Sequence, residues 1–295
     1  MMSMNFIWAI VGVVAYIILA PFVGGLLAGF DRKFTAHMQG RQGPPVLQPF
    51  YDVSKLLKKE ITVVNKGQRF LIVCFLLFIV ITGCLFFAGL DLLMCFFALT
   101  TAAIFLVLAA YSAHSAYSHM GAQRELLQML CYEPVVLLIA VGFYVATGHF
   151  DVTGILAGPV SPIVWLPLLF IAFVLILPAK LGKSPFDIST SHHAHQEVVK
   201  GVTTEMAGGN LAMVEIAHWY EDVFLLAIIF LFIANINHWW TIIVGVIVCL
   251  IVYFIQTLID NSCARVKWNE MLRFTWLVAI ALGVTNVILV YYFVR

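Results

Sequence analysis

Eight long apolar runs, separated by loops of very unequal charge, limit the ways in which this 295-residue chain can fold. They lie at about 4–30, 70–90, 92–111, 130–147, 162–180, 211–235, 239–259 and 270–294. Each is close to the roughly 20 residues that a helix needs to cross a hydrocarbon core about 30 Å thick. In lipid every backbone N–H and C=O needs a partner inside the protein, and a helix supplies it within the segment itself. The chain is 63% hydrophobic and only 11% charged, with a mean hydropathy of +1.02. The expected fold is therefore all-α, a polytopic membrane protein with about eight transmembrane helices. Residues 1–295 form one integral membrane domain in this reading. The first run has neither a basic leader nor a small-residue cleavage site, so it is expected to remain as a span.

Charge gives the orientation. The loops after runs one, three, five and seven carry Arg32, Lys33, Arg41, Lys55, Lys58, Lys59, Lys66, Arg69, Arg124, Lys180, Lys183, Lys200, Arg265 and Lys267, and Arg273 enters run eight from the same side. The alternate loops carry no Lys or Arg, and only Arg295 at the chain's end lies there. The positive-inside rule places the basic loops in the cytoplasm, both termini outside, and the chain as a multi-pass protein of the cell membrane. No basic stripe stands apart from these flanks, so the bilayer is an expected partner and nucleic acid is not. The six cysteines form no Cys-x-x-Cys pair and mostly fall inside apolar runs, where they pack as small hydrophobes.

The first basic loop, 31–69, bends at Gly40, Gly43, Pro44 and Pro45 and then reads as an amphipathic helix over 47–60. Leu56 and Leu57 would face lipid or neighbouring spans, and Lys55, Lys58 and Lys59 the headgroups. The second basic loop holds His114, His119, Arg124 and Glu125, with Glu133 following at the entry to run four beside Pro134. A carboxylate at that depth either serves a proton relay or is held by a nearby arginine such as Arg124, and the two roles are compatible.

The third basic loop, 181–213, with the start of the next run, concentrates the polar chemistry. Six of the chain's fifteen acids fall between Lys183 and Asp222: Asp187, Glu197, Glu205, Glu215, Glu221 and Asp222. An acid in or beside a span is costly and marks a functional-site hypothesis. Ser184-Pro185-Phe186-Asp187 reads as a helix start, in which Asp187 acts as a cap. His192, His193 and His195 invite a metal reading, but with no cysteine nearby one cluster does not close a four-ligand site. A polar interface or a proton-exchanging surface suits them better. Glu197 and Lys200 are spaced to pair on a helix face, and Gly201, Gly208 and Gly209 permit bends or close packing. Glu215, His218 and Asp222 recur at i, i+3 and i+7, one polar stripe on an apolar span that must face protein or water. The polar residues of run seven, Gln256, Asp260 and Asn261, are expected to serve packing.

Ordered motifs on the basic side carry a family resemblance. The first loop has Gln39-x-Arg41-x-Gly43-Pro44, then Gln48-Pro49-x-x-Asp52-x-x-Lys55-Leu56-x-x-Lys59-Glu60. Run four opens on Gln128 to Tyr132-Glu133. The third loop has Ser184-Pro185-Phe186-Asp187 and Glu197-Val-Val-x-Gly201-x-x-Thr204-Glu205-x-x-Gly208. With these the chain resembles subunit 1 (H) of respiratory complex I, in the form found in energy-converting, ferredoxin-linked membrane-bound nickel–iron hydrogenases. Two departures from the quinone-reducing members fit that branch. The segment Gly43 to Pro49 is short, and the run after Pro-Phe-Asp is Ile188 to His195 where those members carry an acidic stretch. The resemblance implies a membrane anchor that holds no redox cofactor itself and couples redox chemistry to H⁺ or Na⁺ movement. The nickel–iron centre and iron–sulfur clusters would sit on hydrogenase large and small subunits and an iron–sulfur subunit. An antiporter-like membrane subunit would lie alongside, and ferredoxin would be the electron donor. Glu133, Glu197, Glu205, Glu215 and Asp222 are the candidate ion-pathway acids. Arg41, Asp52, Lys55, Asp187, His192, His193 and His195 are the candidate contacts to the soluble arm. The alternative is a quinone-binding subunit of a complex I-type oxidoreductase. A free-standing transporter is disfavoured, because the chain shows neither an internal repeat nor paired broken helices.

The charge pattern makes a direct prediction. Reporters fused after Lys66 and after Lys267 should read as cytoplasmic, and one fused after Arg295 as external. A cytoplasmic reading at Arg295 would remove one of the eight passes.

Overall fold

The computed structural model describes residues 2–60, 65–186 and 198–294. Within them the chain is almost entirely helical, and the only pairing of extended backbone is a single antiparallel bridge between Asp91 and Asp151. The helices are α1 (Met2–Met38), α2 (Gln48–Lys58), α3 (Lys66–Phe87), α4 (Leu92–Tyr111), α5 (Ala116–Thr147), α6 (Val152–Leu156), α7 (Pro167–Lys180), α8 (Gly209–Ile233), α9 (Trp239–Ser262), α10 (Trp268–Val278) and α11 (Thr285–Val294). A π-helical turn, Ala279–Val284, joins α10 to α11.

Seven of these rods are long and apolar enough to cross a bilayer, counting α10 to α11 as one. The fifth apolar run, 162–180, differs from expectation. It forms only the 14-residue α7, about 21 Å of helix and short of the membrane's width. Prolines set its limits. Pro167 opens it at the first turn, where no N–H is missed, and Pro178 breaks the ladder near its end. The chain still passes from end to end here. Before α7, the Ile236 N–H donates to Leu156 O (3.0 Å) beside the Asp91–Asp151 bridge. After α7, Lys183 meets Asp31 at the end where the basic loops gather. Both described ends of the chain, at α1 and α11, accordingly lie at the end away from the basic loops.

Two boundaries move for physical reasons. α5 begins at Ala116, so most of the expected second loop, including His119, Arg124 and Glu125, is helix. Residues 31–38 likewise continue α1. The expected helix start at Ser184 is a turn over 184–186, and Asp187, with the rest of 187–197, lies outside the described residues.

Helix α8 is the most enclosed span, with 61% of its most apolar stretch buried against 28% for α1 and α9. Phe86 and Phe96 meet Phe224 edge-on, and Phe143 and Phe170 close on Phe232. α1 is tied to α8 by a reciprocal pair. Tyr16 Oη donates to the Tyr220 carbonyl at 3.1 Å, and Tyr220 Oη donates to the Ile17 carbonyl at 2.7 Å. Pro21 explains the second bond, because it has no N–H to give to the carbonyl four residues back. The amphipathic helix expected in the first loop is α2, with Pro49 in its first turn. Its Phe50, Val53 and Leu56 pack on Trp219 of α8, while Leu57 and the lysines are exposed.

The α1–α8 contact is close at Gly24, where an added Cβ would overlap the Trp219 carbonyl oxygen. Gly24→Ala should therefore cost about 1–3 kcal/mol, since backbone must move. Gly148→Ala, at a helix end with φ +81° and open space, should cost only about 1 kcal/mol. Thermal unfolding in detergent ranks the two, and equal stability would contradict this packing.

Candidate functional site

The polar stripe of α8 faces inward. Glu215, His218, Glu221 and Asp222 all line a cavity of about 310 Å³ at the basic end of the bundle. Its wall is completed by Asp31 and Arg32 of α1, Glu125 and Gln128 of α5, Lys180 of α7, Lys183 and Lys200 of the third loop, and Tyr253 of α9. The volume holds on the order of ten waters. Gln128 is 1% exposed, and its amide nitrogen has no partner among the described residues, which leaves it a donor for such water.

Two linked sets of contacts organise the wall. In the first, Lys180 Nζ lies 2.6 Å from Glu221 Oε1 and donates to Tyr132 Oη at 3.1 Å. The other oxygen, Glu221 Oε2, meets His218 Nδ1 at 3.3 Å. Both side chains of the Lys180–Glu221 pair are only 8% exposed, and a charge that deep is tolerated only when paired. In the second, Lys183 Nζ meets Asp31 Oδ1 at 2.8 Å and lies 5.0 Å over the Tyr253 ring. Thr257 Oγ1 donates to the same Asp31 oxygen at 2.6 Å. Asp222 stands between the two sets on the wall. Carboxylates, an imidazole, hydroxyls and water gathered in one cavity can pass a proton or hold a small cation. Among the described residues no three His, Cys, Asp or Glu side chains converge as metal ligands.

The sequence candidates are dispersed. Glu215 and Asp222 line the cavity. Glu133 is half-buried on α5 away from it, with Oε1 buried and without a hydrogen-bond partner among the described residues. Glu205 is exposed on the turn before α8. Arg124, weighed as a partner for Glu133, is buried and donates to the Phe186 carbonyl at 2.9 Å. Asp52 is ion-paired to Arg32 at 2.8 Å. Arg41 is exposed and bonded to Gln39, and Lys55 is exposed on α2. Asp187, His192, His193, His195 and Glu197 lie outside the described residues. Gly201 does serve a close approach, because its Cβ would stand 2.6 Å from the Tyr117 carbonyl of α5. That contact presses the Val199–Thr203 turn, with Lys200, against the cavity.

Sequence reasoning passed over Lys180, Lys183, Asp31 and Glu221 as site members. For Glu221 a signal existed, since it is three residues after His218 and so on the same helix face. The lysines read as topology markers, and nothing local shows which acids they meet.

The arrangement is a charged cavity inside a helical membrane protein, and comparison with known proteins gives its family. The chain belongs to the NADH dehydrogenase family, whose model matches residues 10–291. Within it, the chain is of the type of subunit 1 (H) of complex I, a membrane component. It is 28% identical to the H subunit of NADH-quinone oxidoreductase from Carboxydothermus hydrogenoformans, over 95% of this chain and 86% of that protein. It is 26% identical to hydrogenase-4 component C of Escherichia coli K12, over 92% of this chain and 91% of that one. In fold it is similar to a chain of the membrane-bound sulfane sulfur reductase, an archaeal respiratory membrane complex. The TM-score there is 0.80 at 23% identity, covering 96% of this chain and 99% of the other.

Breaking the buried pair from one side should be costly. Lys180→Met should destabilise the chain by about 3–5 kcal/mol, because it strands a buried carboxylate. The double variant Lys180→Met/Glu221→Leu should recover most of that loss. Arg273→Met, at a pair whose side chains are 76% and 58% exposed, is the mild reference in the same detergent unfolding assay. A Lys180→Met chain as stable as this reference would contradict the buried pairing.

Proposed function

We propose that this chain is the membrane-anchoring, ion-coupling subunit of an energy-converting nickel–iron hydrogenase that links ferredoxin-dependent proton reduction to H⁺ or Na⁺ translocation. The observation that carries the reading is the cavity itself. Ten of the residues on its wall are ionisable Asp, Glu, Lys, Arg or His side chains drawn from α1, α5, α7, the third loop and α8. So many titratable and charged groups on one wall inside a membrane protein suit the passage of an ion and its water. The named relatives support a role beside a redox arm, and one of them is a hydrogenase component. The short Gly43–Pro49 segment and the Ile188–His195 run add to that choice by resemblance.

In this proposal the ion passes through Glu215 and Asp222, with Glu133, Glu197 and Glu205 as further pathway acids. Arg41, Asp52, Lys55, Asp187, His192, His193 and His195 serve the contact with the soluble arm. The nickel–iron centre and the iron–sulfur clusters belong to large, small and iron–sulfur partner subunits, and an antiporter-like subunit continues the ion path. A second reading, a quinone-binding subunit, is favoured by the relatives that are named as components of NADH-quinone oxidoreductase.

Purification of the tagged chain from native membranes separates the two. Nickel and iron in the co-purified assembly, with turnover insensitive to a quinone-headgroup inhibitor, is the expected result. Absence of nickel together with inhibition would overturn it in favour of the second reading. Coupling is tested in sealed vesicles of the assembly. Asp222→Asn and Glu215→Gln should keep hydrogen formation from a reduced viologen dye and lose most of the ion gradient built per hydrogen. A wild-type ratio in both variants would remove the cavity from the ion path.

A further inference from the structure

Four residues on one face of α9, Tyr253, Gln256, Thr257 and Asp260, follow the i, i+3, i+4, i+7 spacing and all turn toward the segment that bears both cavity lysines. Gln256 is fully buried and its Nε2 donates to the Val174 carbonyl at 2.9 Å. That carbonyl has no helical donor, because the residue four positions on is Pro178. At the other side of the segment, Asp260 Oδ1 accepts the Ser184 N–H at 2.8 Å. Lys180 and Lys183 lie between these two anchors. Thr257 and the Tyr253 ring meet the Asp31–Lys183 pair from the same face. The amide oxygen of Gln256 is buried without a partner among the described residues. An amide that leaves its acceptor unmet in a span, where a methionine would fill the same volume, is held there for its donor.

We propose that Gln256 and Asp260 are positioning residues: together they clamp the Val174–Ser184 segment from α9 and set Lys180 and Lys183 against Glu221 and Asp31. Proline at 178 releases the Val174 carbonyl one turn before the end of α7. Gln256 takes the released carbonyl and so ties that last turn to α9. Asp260 fixes the chain as it leaves the helix. Neither residue lines the cavity, so each acts through the lysines. α9 thus meets the cavity directly through Tyr253 and indirectly through Gln256 and Asp260, and a displacement of α9 by a neighbouring subunit would be transmitted to both ion pairs.

This inference rests on the proposed function only for its consequence in coupling, so two readouts are kept apart. The first is the structure of the intact assembly in lipid. In Gln256→Met the Lys180–Glu221 contact, 2.6 Å here, should open beyond ion-pair distance, with the rest of α9 in place. An unchanged contact would overturn the proposal. If Gln256→Met fails to assemble, the pair Asp260→Ala and Asp260→Asn decides. Alanine should displace Lys183 from Asp31, and asparagine, which keeps the accepting oxygen, should restore it; identical behaviour of the two would overturn the clamp. The second readout is the ion gradient per turnover in sealed vesicles driven by a reduced viologen dye. Gln256→Met should lower it about fivefold, as expected for a population governed by one hydrogen bond. It should lower it no further in a Lys180→Met background. A wild-type ratio in Lys180→Met would count against the proposed function and leave the clamp to the structural readout. A normal Lys180→Met effect with additive loss from Gln256→Met would overturn the clamp and leave the function standing.

Discussion

The buried contact between Lys180 and Glu221 is the constraint to which the rest of the bundle answers. Two charges only 8% exposed are tolerable in a span if each keeps its partner and if the remaining donors and acceptors are met. Tyr132 meets the lysine and His218 meets the carboxylate, so the pair draws α5, α7 and α8 to one point. A pair of this kind adds little to stability compared with apolar residues of the same size. Its presence is a statement about chemistry, and the cavity beside it is where that chemistry has room.

Bringing an ammonium into the membrane interior needs a helix that ends early. A full-length span would carry its C-terminal lysine to the headgroups, as the positive-inside pattern leads one to expect. α7 is cut to 14 residues, so its last turn and Lys180 stay within the bundle. The exposed polar backbone this creates is met by side chains from outside: Asn286 takes Leu169 N–H and gives to Trp165 O, and Gln256 gives to Val174 O. Tyr220 treats α1 in the same way at the carbonyl released by Pro21. Broken helices in this protein are thus satisfied laterally, as lipid demands.

Much of the fold was legible because it follows from one scalar, the length of apolar runs, together with the sign of the loops between them. The passes, α2 with its inward Leu56 and outward lysines, and the inward stripe of Glu215, His218 and Asp222 could all be read this way, whereas Leu57, expected on the same apolar face, is exposed. The family motifs led to the family whose model spans residues 10–291. What was not legible required knowing which distant residues meet. Glu125 looked like loop because a helix projecting beyond the lipid carries polar residues. Lys180 looked like a topology marker because its partner lies on another helix. Gln256 and Asp260 looked like packing because the backbone groups they serve belong to a different, proline-broken segment.

The proposed ion path requires a carboxyl group on the cavity wall to change its protonation or its surroundings when the assembly turns over. Redox-triggered infrared difference spectroscopy of the intact complex in lipid observes that directly. Reduction should produce a change in the carboxyl stretching region that shifts in deuterium oxide and is lost in Asp222→Asn, while the amide changes of the redox arm persist. An identical carboxyl signal in that variant, or none in the wild-type protein, would contradict the account.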